Sequence, residues 1–251
     1  MTDDPRAFFS KHAKDYDQST SHASGPDLAM LTALVEPNSQ DRLLDVAAGT
    51  GHTALHLRPH VASATLVDLT PEMLAQARRA AIEKGLSVET VLADATAIPL
   101  PDGAFSVITC RRAAHHFPDV PAFLQEAYRL LSPGGRLAIA DMTADDYAIS
   151  LLNQMERLRD SSHVAALAPG AWRQELVQAG FDVRAVQLQE EPYTLTRWLQ
   201  PVKAEDVDMA ALHALLEGAT TAQRLALGIR QDGGGWHLTK RRVVVLARRP
   251  E

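Results

Sequence analysis

Two periods of apolar residues run along this chain. Short apolar runs bounded by turn residues predict strands at Leu43-Leu44-Asp45-Val46, Ala64 to Val67, Val88 to Val91, Phe105 to Cys110, Arg136 to Asp141, Phe181 to Leu188 and Arg242 to Leu246. Between them apolar residues recur at helical spacing. Met73, Leu74, Ala77 and Ala81 follow Thr70-Pro71, a cap and first position, and stop at Gly85. Val120, Phe123, Leu124, Ala127, Leu130 and Leu131 follow Asp119 in the same way. Strand and helix alternating this regularly predict right-handed crossovers and a parallel, doubly wound α/β sheet.

The pattern breaks at both ends of that core. Residues 1–40 hold two helical patterns, around Phe8, Phe9, Ala13 and Tyr16 and around Leu28, Leu31, Leu34 and Val35, joined by a polar loop at Ser19 to Ser24. They form either two surface helices or a flap that turns Tyr16 and His22 toward a ligand. After Asp141, two stretches, Thr143–Ala168 and Glu190–Gln231, interrupt the sheet. They carry amphipathic helical patterns and are long enough to form a cap over the strand ends, where they are expected to build an acceptor pocket. Glu190 to Thr221 reads as helical, and Gly233-Gly234-Gly235 as a turn. Lys240-Arg241-Arg242 flanks the last strand and reads as a solvated strand end rather than an anion site.

The chemistry begins where the first strand ends. Asp45-Val46-Ala47-Ala48-Gly49-Thr50-Gly51 leads into the helix start Thr53-Ala54-Leu55. Gly49 and Gly51 let backbone turn sharply and approach a ligand, while the free N–H groups of the helix start favour an anionic or polar group. Gly49-x-Gly51-x-x-Ala54 fits a dinucleotide fingerprint, yet a carboxylate at Asp45 repels a pyrophosphate. It suits an ammonium group such as that of S-adenosylmethionine (SAM); otherwise Asp45 only hydrogen-bonds the turn. Asp68 ends the second strand about 20 residues on, where an acidic side chain takes a ribose hydroxyl pair. Asp94, past the third strand, is placed either to accept from an adenine amine or to cap its own loop.

Composition narrows the class. The chain has 251 residues, 31 acidic against 25 basic, for a net charge of −6, without the basic footprint of a nucleic-acid binder. Cys110 is the only cysteine, which excludes internal disulfides and cysteine-rich zinc sites. His52, His56 and His60 have helical spacing, but Pro59 interrupts it and no acidic ligand lies nearby, so no metal is expected. Met1 to Pro5 does not read as a signal peptide, and no apolar run approaches the roughly 20 residues of a membrane span. The expectation is a cytoplasmic protein with a small-molecule partner, as a monomer or a homodimer.

Several segments together resemble the class I SAM-dependent methyltransferases. They are Leu43 to His52, Asp68, Asp94-Ala95, Cys110-Arg111 through His115-His116-Phe117, and Leu131-Ser132-Pro133-Gly134-Gly135-Arg136-Leu137. The likeness is to the methyltransferase-11 type, related to the ubiquinone/menaquinone-biosynthesis enzymes. It runs from about Phe8 to Gly180 and is weak over 190–239. It implies a Rossmann-like, seven-stranded sheet with an antiparallel last strand in one methyltransferase domain over 1–251. It implies SAM across the strand ends, contacted by Tyr16, Asp45, Ala47, Gly49, Gly51, Asp68, Leu69, Met73, Asp94, Ala95, Cys110 and Arg111. Ala47 stands where the family has its first glycine, which is tolerable if its φ is negative.

Methyl transfer from SAM needs alignment and, for a phenol, enol or amine, removal of a proton. Arg111 and His115 would follow the fourth strand beside the methyl group. The arginine suits an enolate or phenolate and His115 the proton, with His116 a weaker candidate, since two adjacent histidines do not both face one substrate. The leading reading is C-methylation of an activated aromatic or enol-type small molecule. The alternatives are O- or N-methylation of a small metabolite and a non-catalytic SAM-binding protein. A nicotinamide-dependent oxidoreductase is the reading Asp45 argues against.

Overall fold

The computed structural model describes residues 24–200 and 202–251. Tyr16 and His22 lie outside them, as does most of the expected flap. The first described helix, α1 (Pro26–Val35), leads to β1 (Arg42–Val46), α2 (His52–Leu57), β2 (Ser63–Asp68), α3 (Pro71–Glu83), β3 (Glu89–Leu92), β4 (Phe105–Arg111), α4 (Val120–Leu130) and β5 (Leu131–Met142). Then follow α5 (Ile149–Arg159), α6 (Pro169–Gln178), β6 (Asp182–Thr194), α7 (Leu195–Leu199), α8 (Met209–Gly218), α9 (Thr221–Leu227), β7 (Arg230–Asp232) and β8 (Gly235–Arg248).

The sheet order is β3-β2-β1-β4-β5-β8-β6, with β7 paired to β8 outside that path. β1 to β5 run parallel, and β8 lies antiparallel between β5 and β6. The expected doubly wound sheet with an antiparallel last strand is therefore present, extended by β7 as an eighth strand. Pro133-Gly134-Gly135 falls inside β5 as an irregularity rather than before it. One sheet face is covered by α4 and α6, through Phe123, Leu124, Trp172 and Leu176. The other is covered by α1, α2 and α3, through Leu31, Val35, Leu57, Leu74 and Ala77. Buried apolar side chains on both faces explain why the central strands read as continuous apolar runs.

The last third departs from its sequence pattern. Glu190 to Thr194 is strand, not helix, because Glu190, Glu191 and Tyr193 pair with Arg241, Lys240 and Leu238 of β8. β6 and β8 thus run on past β5 as a two-stranded arm. The two insertions pack on that arm around a core of their own, with Leu151, Met155, Trp198, Leu212, Leu216 and Trp236 at its centre. Thr70 stands at the cap position of α3, but its side chain makes no capping hydrogen bond. Among the described residues no helix is long and apolar enough to cross a membrane.

Candidate active site

The carboxyl ends of β1, β2, β3 and β4 open onto one cavity of about 490 Å³, within the range of small-molecule sites. In a parallel sheet this edge is where the order reverses around β1 and β4, so loops diverge and leave a crevice. The turn after β1 forms its floor. Ala48 N donates to Val67 O at 2.9 Å and Gly51 N to Ala48 O at 2.9 Å, which closes the turn against β2.

The two glycines do different work. Gly49 (φ +55) lines the cavity, and a Cβ there would meet no protein atom within 4 Å. That side of the turn is open to a ligand. Gly51 (φ +84) does not line it; a Cβ there would stand 2.9 Å from Leu66 Cδ2 and 3.1 Å from Ala77 Cβ. Gly51 therefore serves helix–strand packing rather than ligand approach. Ala47 has φ +50, so the condition of a negative φ, under which alanine replaces glycine freely, is not met. The methyl group sits in left-handed backbone, at a cost of about 1–2 kcal/mol.

Asp68 is placed as expected. Its Oδ2 accepts from Gly49 N at 2.8 Å and its Oδ1 from Thr70 N at 2.9 Å. The Leu69 N–H and the Thr70 hydroxyl also act on this carboxylate, and Asp68 lines the cavity. Burial raises its pKa, against the pull of those N–H groups. Leu69 and Met73 form an apolar wall beside it, and Ala95 lies opposite with Asp94. Asp94 caps its own loop, its Oδ1 accepting from Thr96 N at 2.8 Å, and it also lines the cavity.

Asp45 and Cys110 do not line the cavity. Asp45 is 1% exposed; its Oδ2 accepts from Ala54 N at 3.1 Å and its Oδ1 from Thr109 Oγ1 at 2.7 Å. It pins the start of α2 to β4, and burial pushes its pKa to about 7. The alternative of turn stabilisation holds, and the contact to an ammonium group is not what this geometry shows. Cys110 is wholly buried in the core, where burial drives the thiol pKa well up.

Arg111 and Arg112 reach the cavity wall, yet both guanidinium groups are engaged by Asp27 of α1. Arg111 Nε donates at 2.8 Å and Nη2 at 3.1 Å; Arg112 Nε donates at 2.8 Å and Nη2 at 2.6 Å. Burial disfavours the Asp27 carboxylate, but the two arginines outweigh it and hold its pKa below the usual range. Arg112 sits at φ +56, a second strained residue, fixed by this pairing. Arg111 ends β4 rather than following it, and an enolate-binding role is tied to a group Asp27 already holds.

His115 and His116 lie in a one-turn 3-10 helix, Ala114–His116. His115 N donates to Asp141 Oδ2 at 2.9 Å, and its Nδ1 lies 2.5 Å from Asp141 Oδ1. Burial would raise the Asp141 pKa, but His115 and backbone N–H groups outweigh it and lower it. His116 lines the cavity and its Nδ1 lies 3.1 Å from both Ser162 O and Ser162 Oγ. Burial, then His115, depresses its pKa to about 3, so it is neutral at pH 7. His163 stands behind, its ring 5.5 Å from that of His115 and its Nε2 2.7 Å from Asn153 Oδ1. The first insertion thus supports the histidines, through Ser162, His163 and the Val164 and Ala165 N–H groups on His115 O. No residue of either insertion lines this cavity, contrary to the expectation that they form the pocket.

Sequence reasoning missed Asp27, Arg112 and Asp141, and the threonines Thr50, Thr53, Thr70 and Thr96 on the cavity wall. An acid at the start of a helix signals only a favourable dipole contact, so nothing local marked Asp27.

A glycine turn at a switch point, an acid at the end of β2 and a ligand-sized crevice define an α/β protein that binds a nucleoside-type ligand. Comparison with known proteins narrows the class. Residues 44–139 match the methyltransferase domain family. YcgJ of Bacillus subtilis, named as an uncharacterized methyltransferase, is 36% identical over 198 residues, 78% of this chain and 75% of that protein. The crystal structure of YcgJ superposes with a TM-score of 0.83 at 28% identity, covering 90% of this chain and 98% of that one. A demethylmenaquinone methyltransferase of Thermus thermophilus is 46% identical over 102 residues, 40% of this chain and 46% of that protein. The chain belongs to the SAM-dependent methyltransferases.

The residues present fit that cofactor. Open space above Gly49, two acceptor oxygens on Asp68 and the apolar Leu69–Met73 wall suit a methionine chain, a ribose and an adenine in turn.

Proposed function

We propose that this chain methylates carbon in an activated aromatic or enol-type small molecule. The observation that carries the reading is the Asp141–His115 pair packed directly behind His116, which lines the cavity and whose ring centre lies 4.1 Å from that of His115. SAM, when bound, supplies an electrophilic methyl group and a neutral thioether leaving group. The chain must then hold a nucleophilic carbon in line and lower the cost of making it nucleophilic.

Asp141 fixes the His115 tautomer through Nδ1, so Nε2 is left as the acceptor nitrogen. A buried carboxylate behind the ring also stabilises the imidazolium that forms when His115 takes a phenol or enol proton. His116, whose pKa is about 3, is a poor base and serves as a neutral wall of the cavity. Phe117 and Pro118 give the His116 end of the cavity an apolar edge suited to an aromatic acceptor. The likeness to a demethylmenaquinone methyltransferase supports a quinone-type acceptor, and a relative named as a ubiquinone/menaquinone biosynthesis C-methyltransferase supports methylation at carbon.

The test is an acceptor panel of naphthols, phenols and β-diketones with methyl-deuterated SAM, read by mass spectrometry and NMR. A deuterated methyl bound to carbon is the expected product. His115→Ala and Asp141→Asn should each lower kcat by about 10²–10⁴-fold while leaving cofactor affinity unchanged. Methyl groups found only on oxygen or nitrogen, or full turnover by both variants, would defeat the assignment.

A further inference from the structure

The stretch from Ala93 to Ala104 joins β3, at one edge of the sheet, to β4 without regular secondary structure. Among the described residues no strand lies beyond β3, so the backbone groups of this loop need partners elsewhere. Its first part, Ala93 to Thr96, is one wall of the cavity. Ala93 N donates to Asp68 O at 3.1 Å, which anchors the start of the loop to β2. Asp94 Oδ1 accepts from Thr96 N at 2.8 Å and from Thr96 Oγ1 at 2.7 Å, and Ala97 N donates to Asp94 O at 3.1 Å. These bonds shape the turn that carries Asp94.

The far side of that turn is held from α4, by two residues one helical turn apart. Glu126 Oε1 accepts from Ile98 N at 2.6 Å. Arg129 donates from Nη2 to Ile98 O and from Nη1 to Leu100 O, both at 2.9 Å, and from Nη1 to Asp102 Oδ1. Its Nε and Nη2 also donate to Glu126 Oε2 and Oε1, each at 2.8 Å. Both backbone groups of Ile98 are thus gripped by one ion pair, while the Ile98 side chain is buried in the core. A guanidinium presents its donors in a rigid fork, so this grip sets position as well as distance. An ion pair at a surface adds little stability by itself. Here its hydrogen bonds are spent on the loop. A hydrogen bond weakens steeply outside its normal range, so a shift of about 1 Å in this wall is enough to lose a contact to a base.

We propose that Glu126 and Arg129 are positioning residues for the methyl donor: by fixing Ile98 they hold Asp94 where it accepts from the adenine amine, and so set the preference for adenine over a base without that amine. Neither residue lines the cavity, so both act through the loop. The inference rests on the donor lying in this cavity with its base beside Asp94.

The experiment is a calorimetric titration of S-adenosylhomocysteine and of S-inosylhomocysteine, in which a carbonyl oxygen replaces the amine. The wild type should bind the adenosyl compound at least about tenfold more tightly, because the carbonyl sets an acceptor against the Asp94 carboxylate. Arg129→Met and Glu126→Leu should weaken the adenosyl compound about tenfold and leave the inosyl compound within about threefold, so the preference collapses. Glu126→Gln, which keeps an acceptor for Ile98 N, should retain most of it. Asp94→Ala should lose the preference alone, and adding Arg129→Met to it should cost the preference nothing further. Equal weakening of both compounds in Arg129→Met and Glu126→Leu, the mark of a merely structural role, overturns the inference. So does a preference that both variants retain, or one that falls further in the double variant. A wild type that binds both compounds alike leaves donor binding standing and overturns the positioning role. A wild type that binds neither refutes the donor reading itself.

Discussion

Asp27→Asn removes the carboxylate on which the cationic wall is hung. Asp27 is 0% exposed and accepts four guanidinium hydrogen bonds at 2.6–3.1 Å from Arg111 and Arg112. Asparagine keeps the shape but offers one acceptor oxygen and no charge. Breaking a buried ion pair by removing one partner costs about 3–5 kcal/mol, since the remaining charge stays uncompensated. At about 2–4 °C per kcal/mol for a chain of this size, Tm should fall by about 6–20 °C. Scanning calorimetry of both proteins reads this directly. Because the group is buried, added salt should not close the gap. The pH dependence follows from the lowered carboxylate pKa in the folded state. Asp27 contributes fully above its unfolded value of about 4, and the contribution is lost as pH falls through the lower folded value. The gap between the two proteins should be level from about pH 8 to 5 and narrow only below about pH 4. A Tm change under about 2 °C, or a gap that salt erases, would refute the reasoning.

Three other substitutions probe the site. Gly51→Ala should lower stability by about 2–5 kcal/mol, combining left-handed strain with overpacking against Leu66 and Ala77, as denaturant melts would show. Ala47→Gly should change Tm little, because relief of about 1–2 kcal/mol at φ +50 is offset by the freedom glycine adds to the unfolded chain. For Asp45 the folded pKa, about 7, lies above the unfolded value, so its contribution is full below about pH 4 and is lost as pH rises to 7. Asp45→Asn, which mimics the protonated form, should flatten that decline in a series of thermal melts from acid to neutral pH.

The sheet was legible because its apolar runs are short, dense and bounded by glycine, proline and aspartate. The turn after β1 was legible in outline and wrong in detail. Spacing marks Gly49 and Gly51 alike, but only three-dimensional packing assigns Gly51 to Leu66 and Ala77. Asp45 carries a charge that reads as a ligand contact until its burial against Ala54 and Thr109 is seen. Asp27 was invisible, since its partner Arg111 lies 84 positions away and no local pattern links them. Glu190-Glu191-Pro192 broke the alternation that would have extended β6, although those residues pair with β8 on a largely polar arm. Lys240 and Arg242 looked like solvated ends for the same reason, yet Arg242 is 2% exposed: charge patterns report residue type, and the insertions decide what is covered.

The central claim is that the cavity holds SAM with Asp68 on its ribose. The most direct test is a calorimetric titration of S-adenosylhomocysteine into the wild-type protein and into Asp68→Asn. That variant preserves the shape of the side chain while replacing one acceptor oxygen with a donor. One equivalent should bind the wild type, and the variant should bind at least about tenfold more weakly, because a ribose hydroxyl loses its charged acceptor. Equal affinity in the two proteins, or no binding to the wild type, would contradict the account.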